Sequence, residues 1–186
     1  MAENDSEAKG FSLSGMLKSV FTNRALLSII VVSILRLLAQ LTTQSMANYV
    51  YPNYYGNTTA QSMSTLLAMA ARFVGAGIAK PLAVKFGKKE LSLAGCILSI
   101  AAHAGALLLR PDSVWVYVVI SMVAYFGLGI FAMVSWALIT DVIDYSELKN
   151  GVREDGTIYA VYSFARKLGQ AASSGLTGGL LTLIGY

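Results

Sequence analysis

At 186 residues, 55% hydrophobic and 13% charged, with a mean hydropathy of +0.60, the chain is too apolar for an ordinary soluble domain, in which about a quarter of residues are charged. Its apolar residues come in long blocks rather than in alternation, which points to an all-α, multi-pass membrane protein. The net charge of +4 is no nucleic-acid signal, because the basic residues sit at the ends of those blocks, as an orientation signal does.

Residues 1–24 are polar to weakly amphipathic, with Phe11, Leu13, Met16, Leu17, Val20 and Phe21 at helix-like spacing. They form either a surface helix or a plain cytoplasmic lead-in. Met1 to Lys9 is acidic and lacks the basic start of a cleaved signal peptide. Spans are expected at about 25–51, 60–84, 91–109, 114–140 and 159–186. Pro52, Asn53, Gly56 and Asn57 mark the first turn, Lys85 to Glu90 a tight basic loop, and Arg110, Pro111 and Asp112 the next turn. Five alternating spans put Lys9, Lys18 and Arg24, then Lys85, Lys88 and Lys89, then Lys149 and Arg153 all on one side. That side is expected to be cytoplasmic, with the N-terminus there and the chain in the cell membrane. Asn57, Thr58 and Thr59 form a glycosylation sequon that a short, membrane-hugging loop makes coincidental.

Two spans carry polar faces. In the first, Ser33, Arg36, Gln40, Thr43, Gln44 and Ala47 recur at intervals of three and four. Arg36 falls close to mid-bilayer, where facing lipid costs at least ~2.5 kcal/mol, so this face must meet a watery path or another helix. In the fifth, the face is Tyr159, Ser163, Arg166 or Lys167, Gln170, Ser174 and Thr177. Lys167 either snorkels to the surface, pairs with a carboxylate, or donates to a polyhydroxylated solute. Arg72 is isolated, and His103 is expected to be packed rather than a proton relay. Gly75, Gly77, Gly127, Gly129, Gly175 and Gly179 offer smooth surfaces for close helix contact. One cysteine, Cys96, and one histidine allow neither a disulfide nor a metal site, and no nucleophile–base set suggests an enzyme or a cofactor.

The run from Asp141 to Gly156 holds five of the ten acidic residues. Asp141 and Asp144, three apart, are expected at the C-terminal end of the fourth span, where the helix dipole disfavours anions and cationic partners are needed. Lys88, Lys89 and Arg153 are the candidates, so the cluster is either a cytoplasmic gate or a solvated loop that fixes topology.

The pattern Asp141, Asp144, Tyr145, Glu147, Lys149, Gly151, Arg153, Glu154 and Gly156, followed by Lys167 and Gly169, resembles the glycoside–pentoside–hexuronide:cation symporters. These are melibiose-carrier-like sugar permeases of the major facilitator superfamily. Asn23 and Arg24 before the first span and Leu183 to Tyr186 at the end fit as well. Ser146 stands where the family often has glycine, and Asp155 is an added acid; neither removes a charge. The resemblance implies twelve spans in two halves, of which these five match spans seven to eleven. It implies symport of a sugar or glycoside with Na⁺ or H⁺ by alternating access, the cation site lying mainly in an N-terminal half that the chain lacks. Lys167 takes the position of a lysine that couples sugar and cation sites. Asp141, Asp144 and Glu147 match acids of a cytoplasmic gate, with Tyr145 and Arg153 beside them and Lys88 or Lys89 as the basic partner. Trp136 lies near a family position that stacks on sugar, whereas Arg36 has no family role. Such a half is expected to be inactive alone. The alternative is a non-transporting membrane partner, sensor or relic that keeps the fold.

Overall fold

The computed structural model describes residues 24–150 and 155–185, and among these the regular structure is helical. The amphipathic stretch before Arg24, and Arg153, lie outside the described residues. Helix α1, Arg24–Tyr49, runs into a π-helical turn, Val50–Tyr54; α2 spans Thr58–Phe86, α3 Lys88–Leu109, α4 Val114–Asn150 and α5 Asp155–Leu183. The stops are local. Asn57 caps α2 by accepting from the Ala60 amide at 2.9 Å, which occupies the side chain of the sequon. Gly87 joins α2 to α3 by itself at φ +95°, a conformation that a side chain would strain. Arg110 ends α3 in the left-handed region just before Pro111.

Four helical stretches, Arg24–Tyr54, Thr58–Phe86, Lys88–Leu109 and Val114–Leu148, are long and apolar enough to cross a membrane. Helix α5 has 29 residues, so its length suffices. Its expected span differs from the others because Ser163, Arg166, Lys167, Gln170, Ser173, Ser174 and Thr177 dilute its hydropathy. The molecule is an all-α polytopic membrane protein. Its exposed surface carries large apolar side chains such as Phe73, Ile100, Leu107 and Leu108, as a lipid-facing bundle requires.

The fourth helix corrects the sequence reading most. It continues past residue 140 to Asn150, because no glycine or proline intervenes and the extension is amphipathic. Val142, Ile143 and Ser146 are buried, while Asp141, Asp144, Tyr145 and Leu148 face outward. The acids therefore do not sit at a helix C-terminus, and the dipole argument for their cationic partners does not apply. At about 1.5 Å per residue, α4 is about 55 Å long, against ~30 Å of hydrocarbon. Its last turns must project from the membrane.

Helix α4 is the hub. It packs along α3 and α2 on one side and against α1 on the other, while α5 packs chiefly on α1. The α3–α4 contact is backbone on backbone: a Cβ on Gly95 would stand 2.7 Å from the Gly127 carbonyl oxygen. Gly75 and Gly129 serve the α2–α4 contact in the same way, whereas Gly77, Gly175 and Gly179 have open space before them and make no close contact. One core joins Leu26, Ile29 and Ile30 of α1 to Ile139, Val142 and Ile143 of α4 and Ile158, Tyr162 and Ala165 of α5. A second joins Ala79, Leu91, Ile130 and Val134 of α2, α3 and α4.

Candidate functional site

Helix α1 meets α5 through polar contacts. Ser33 Oγ donates to Tyr162 Oη at 3.3 Å, and the Thr42 and Ser173 hydroxyls lie 3.1 Å apart. Both positions advance together along the two helices, so α1 and α5 run parallel. Gly169 lets them close up, its missing Cβ leaving room for Ile34. One turn along α1, Arg36 Nη2 donates to Gln40 Oε1 at 2.8 Å, and its Cζ stands 5.5 Å from the Phe131 ring centre. The buried Arg36 Nε has no hydrogen-bond partner. On α5, Arg166 Cζ stands 5.1 Å from Trp136 and 5.8 Å from Tyr162, whose rings meet edge-on at 5.7 Å.

These contacts hold two guanidiniums deep in an apolar bundle. A stacked arginine gains roughly 0.5–2 kcal/mol from the ring. A guanidinium at mid-bilayer costs at least ~2.5 kcal/mol. Aromatic stacking alone therefore leaves a deficit, part of which the Gln40 hydrogen bond covers for Arg36.

The sequence-derived residues divide between this site and its rim. Arg36 and Gln40 bond each other, and Trp136, 46% exposed, stands over Arg166. Gln44 and Gln170 are half-buried. Ser163 and Lys167 are exposed and lie off the buried α5 face of Ile158, Tyr162, Ala165, Gly169, Ser173 and Thr177. Sequence reasoning left Arg166 and Lys167 as alternatives, and the structure turns Arg166 onto the aromatics. Tyr162 was missed, although its spacing of three from Ala165 and seven from Gly169 places it on one helical stripe.

At one end of the bundle Lys88 Nζ meets both Asp141 oxygens, at 2.6 and 2.8 Å. Lys89 is exposed and does not make this pair. The bridge ties the start of α3 to the α4 extension, with both side chains about half exposed, so in water it contributes only ~0.2–1 kcal/mol. Asp144 and Tyr145 are exposed and Glu147 is half-buried on the same extension.

The opposite end is aromatic. Tyr51, Tyr55 and Tyr117 cluster with ring centres 5.5–6.5 Å apart, and Tyr51 Oη donates to Ser64 at 2.7 Å. Burial pushes the Tyr55 phenol above its ordinary pKa, so it stays protonated and donates to the Pro111 carbonyl at 2.9 Å. A cavity of about 440 Å³ opens here, lined by Tyr54, Tyr55, His103, Arg110 and Tyr117 among others. His103 Nδ1 lies 2.9 Å from the Ser99 carbonyl of its own helix, which fixes Nδ1 as the donor. Among the described residues no group of His, Cys, Asp and Glu is arranged to hold a metal ion.

Comparison with known proteins gives this helical bundle a family. The model for MFS/sugar transport proteins matches residues 1–186. The chain belongs to that family. An uncharacterized symporter of Bacillus subtilis is 32% identical over 175 residues, covering 94% of this chain and 38% of the relative. The glucuronide carrier protein homolog of Escherichia coli is 32% identical over 182 residues, with the same coverage of 94% and 38%. A proposed sulfoquinovose importer of Escherichia coli is 40% identical over 107 residues, 57% of this chain and 23% of that protein. The chain thus spans less than two-fifths of the length of these curated relatives.

Proposed function

We propose that these helices form part of a secondary transporter that moves a sugar or glycoside together with Na⁺ or H⁺ by alternating access between two half-bundles. The observation that carries the reading is the polar belt of Arg36, Gln40, Trp136, Tyr162 and Arg166, gathered at mid-depth in an otherwise apolar bundle. The family and the names of the relatives, symporters and sugar importers, support it. On this reading the belt is one wall of the solute path and an N-terminal half supplies the other wall and most of the cation site. The five helices alone do not transport.

Two further roles follow from the same reading. Lys167, exposed beside the belt, couples solute to cation. The α4 extension, with Asp144, Tyr145 and Glu147, forms part of a cytoplasmic gate, a reading that the Lys88–Asp141 bridge supports. The N-terminus and this gate then lie on the cytoplasmic side of the cell membrane. Proteoliposomes holding the full-length protein are expected to accumulate a sugar only when a Na⁺ or H⁺ gradient is imposed. Folded, inserted protein that shows no gradient-dependent uptake of any sugar contradicts the reading.

A further inference from the structure

The end of the bundle away from the Lys88–Asp141 bridge holds a cavity that the transport reading does not use. Helix α3, Lys88–Leu109, has 22 residues, or about 33 Å at ~1.5 Å each, which matches ~30 Å of hydrocarbon. Its two ends therefore stand at the two headgroup layers, and Arg110, directly after it, stands at the level of the second. The cavity of about 440 Å³ opens there, between the turn after α1, the last turns of α3 and Tyr117 of α4. That volume lies within the ~300–1,000 Å³ of ordinary ligand sites. None of Arg36, Gln40, Trp136, Tyr162 or Arg166 lines it. Its wall includes Leu107, which is 70% exposed and is followed by the exposed Leu108 and Leu109. The mouth thus opens sideways onto the lipid-facing surface, not onto the belt.

Two lining side chains keep polar groups without a partner among the described residues: the Arg110 guanidinium and the Tyr54 hydroxyl. They come from opposite walls, and the walls are tied together. The Tyr54 ring stands edge-on to Tyr55 at 4.8 Å, and Tyr55 Oη donates to the Pro111 carbonyl at 2.9 Å. Arg110 also carries a backbone cost. At φ +41° and ψ +59° it is the one non-glycine residue with positive φ among the described residues. Glycine adopts that conformation freely and is the usual residue at such a helix stop, whereas a side chain strains there. An arginine kept in a glycine's place points to a use for its side chain. Solvation by water accounts for the charge, but not for a tyrosine-walled cavity that opens beside leucines.

We propose that this cavity binds the head of a membrane phospholipid, with the phosphate held by Arg110 and the Tyr54 hydroxyl. The charges are complementary, and the planar guanidinium fork can give two parallel, charge-assisted hydrogen bonds to a phosphate. A tyrosine at the membrane interface, with an apolar body and a polar tip, supplies a further donor. His103 lines the inner wall seven residues, or ~10 Å, before Arg110, on the glycerol side of a phosphate held there. The acyl chains then run down the outside of α3 past Leu107 and Ile100, two exposed residues seven apart and so on one face. The lipid binds across the α1 and α3 ends, so it stabilises the folded bundle by mass action. The site goes beyond the transport reading and does not rest on it.

The test uses purified, delipidated full-length protein in detergent, and follows melting temperature and intact-complex mass as dioleoylphosphatidylglycerol is added. Dioleoylglycerol, with the same chains and no phosphate, and inorganic phosphate alone are the comparison ligands. Phosphatidylglycerol is expected to raise the melting temperature and to bind about tenfold or more tightly than dioleoylglycerol. Arg110→Gly suits the left-handed backbone, so it should fold as the parent does yet bind phosphatidylglycerol about tenfold more weakly. Tyr54→Phe, which removes one hydroxyl from an exposed ring, should lose about threefold. Lys85→Gln, which removes an exposed charge at the other end of the bundle, should lose nothing. Equal binding of the two lipids, or folded Arg110→Gly and Tyr54→Phe proteins that bind phosphatidylglycerol as the parent does, overturns the proposal. An equal loss in Lys85→Gln assigns the effect to overall charge and overturns it too. So does inorganic phosphate that binds as tightly as the lipid, which would make the cavity an anion site without a lipid.

Discussion

The α3–α4 and α1–α5 contacts solve one problem in opposite ways. Helices α3 and α4 meet backbone to backbone through Gly95 and Gly127, with Leu91, Ile130 and Val134 beside them. Helices α1 and α5 also use a glycine, Gly169, but line their contact with Ser33, Tyr162, Thr42 and Ser173. Close approach suffices where a pair of helices only has to hold together. The hydroxyl-lined contact, with Arg36, Trp136 and Arg166 at its edge, sits in a helix pair that stays amphipathic enough for α5 to fall short of an ordinary span. Packing and polarity therefore report different duties within one bundle.

The comparison is open to breakage at several points. The largest expected effect is Gly127→Val: neither facing surface is a flexible side chain, so overpacking should cost about 1–3 kcal/mol or more and abolish monodisperse protein by size exclusion. Normal yield and melting temperature would show that the α3–α4 contact is looser than described. Next comes Lys167→Ala, which should abolish gradient-driven accumulation while leaving membrane insertion intact; near-normal accumulation refutes its coupling role. Asp141→Lys should lower uptake several-fold, and Lys88→Asp in the same protein should restore much of it, because the bridge is regenerated in reverse. Failure of the swap would leave the bridge a local tie only. The smallest effect belongs to Ser33→Ala and Thr42→Val, each removing one interhelical hydrogen bond worth about 0.6 kcal/mol. A thermal scan of both variants should show shifts of only a few degrees.

Among the described residues, proline, glycine and a capping asparagine announce several of the helix ends. Sequence alone did not carry the end of α4. Charge density suggested a loop, but the positions of Val142, Ile143 and Ser146 kept one face buried and the helix continued. Arg166 and Lys167 exposed a different limit. Adjacent residues on a helix are separated by about 100°, so a coarse polar stripe admits either until a neighbouring helix chooses. Arg72 looked isolated for a related reason: the Tyr125 ring it stacks on lies on another helix, which only tertiary packing brings alongside. The bridge of Lys88 with Asp141 reverses the lesson, since there the residues were legible as candidates but the reason given for their pairing was not the one that operates.

The account turns on water reaching the belt at mid-depth. In the full-length protein, with Cys96 and any other cysteine replaced, Gln40→Cys and Ser163→Cys are each treated with a membrane-impermeant thiol reagent, and Ile100→Cys, 68% exposed on the apolar surface in the middle of α3, serves as the lipid-facing control. Rapid labelling at 40 and 163 with none at 100 is the result the account predicts. Belt cysteines as unreactive as the lipid-facing one would contradict it.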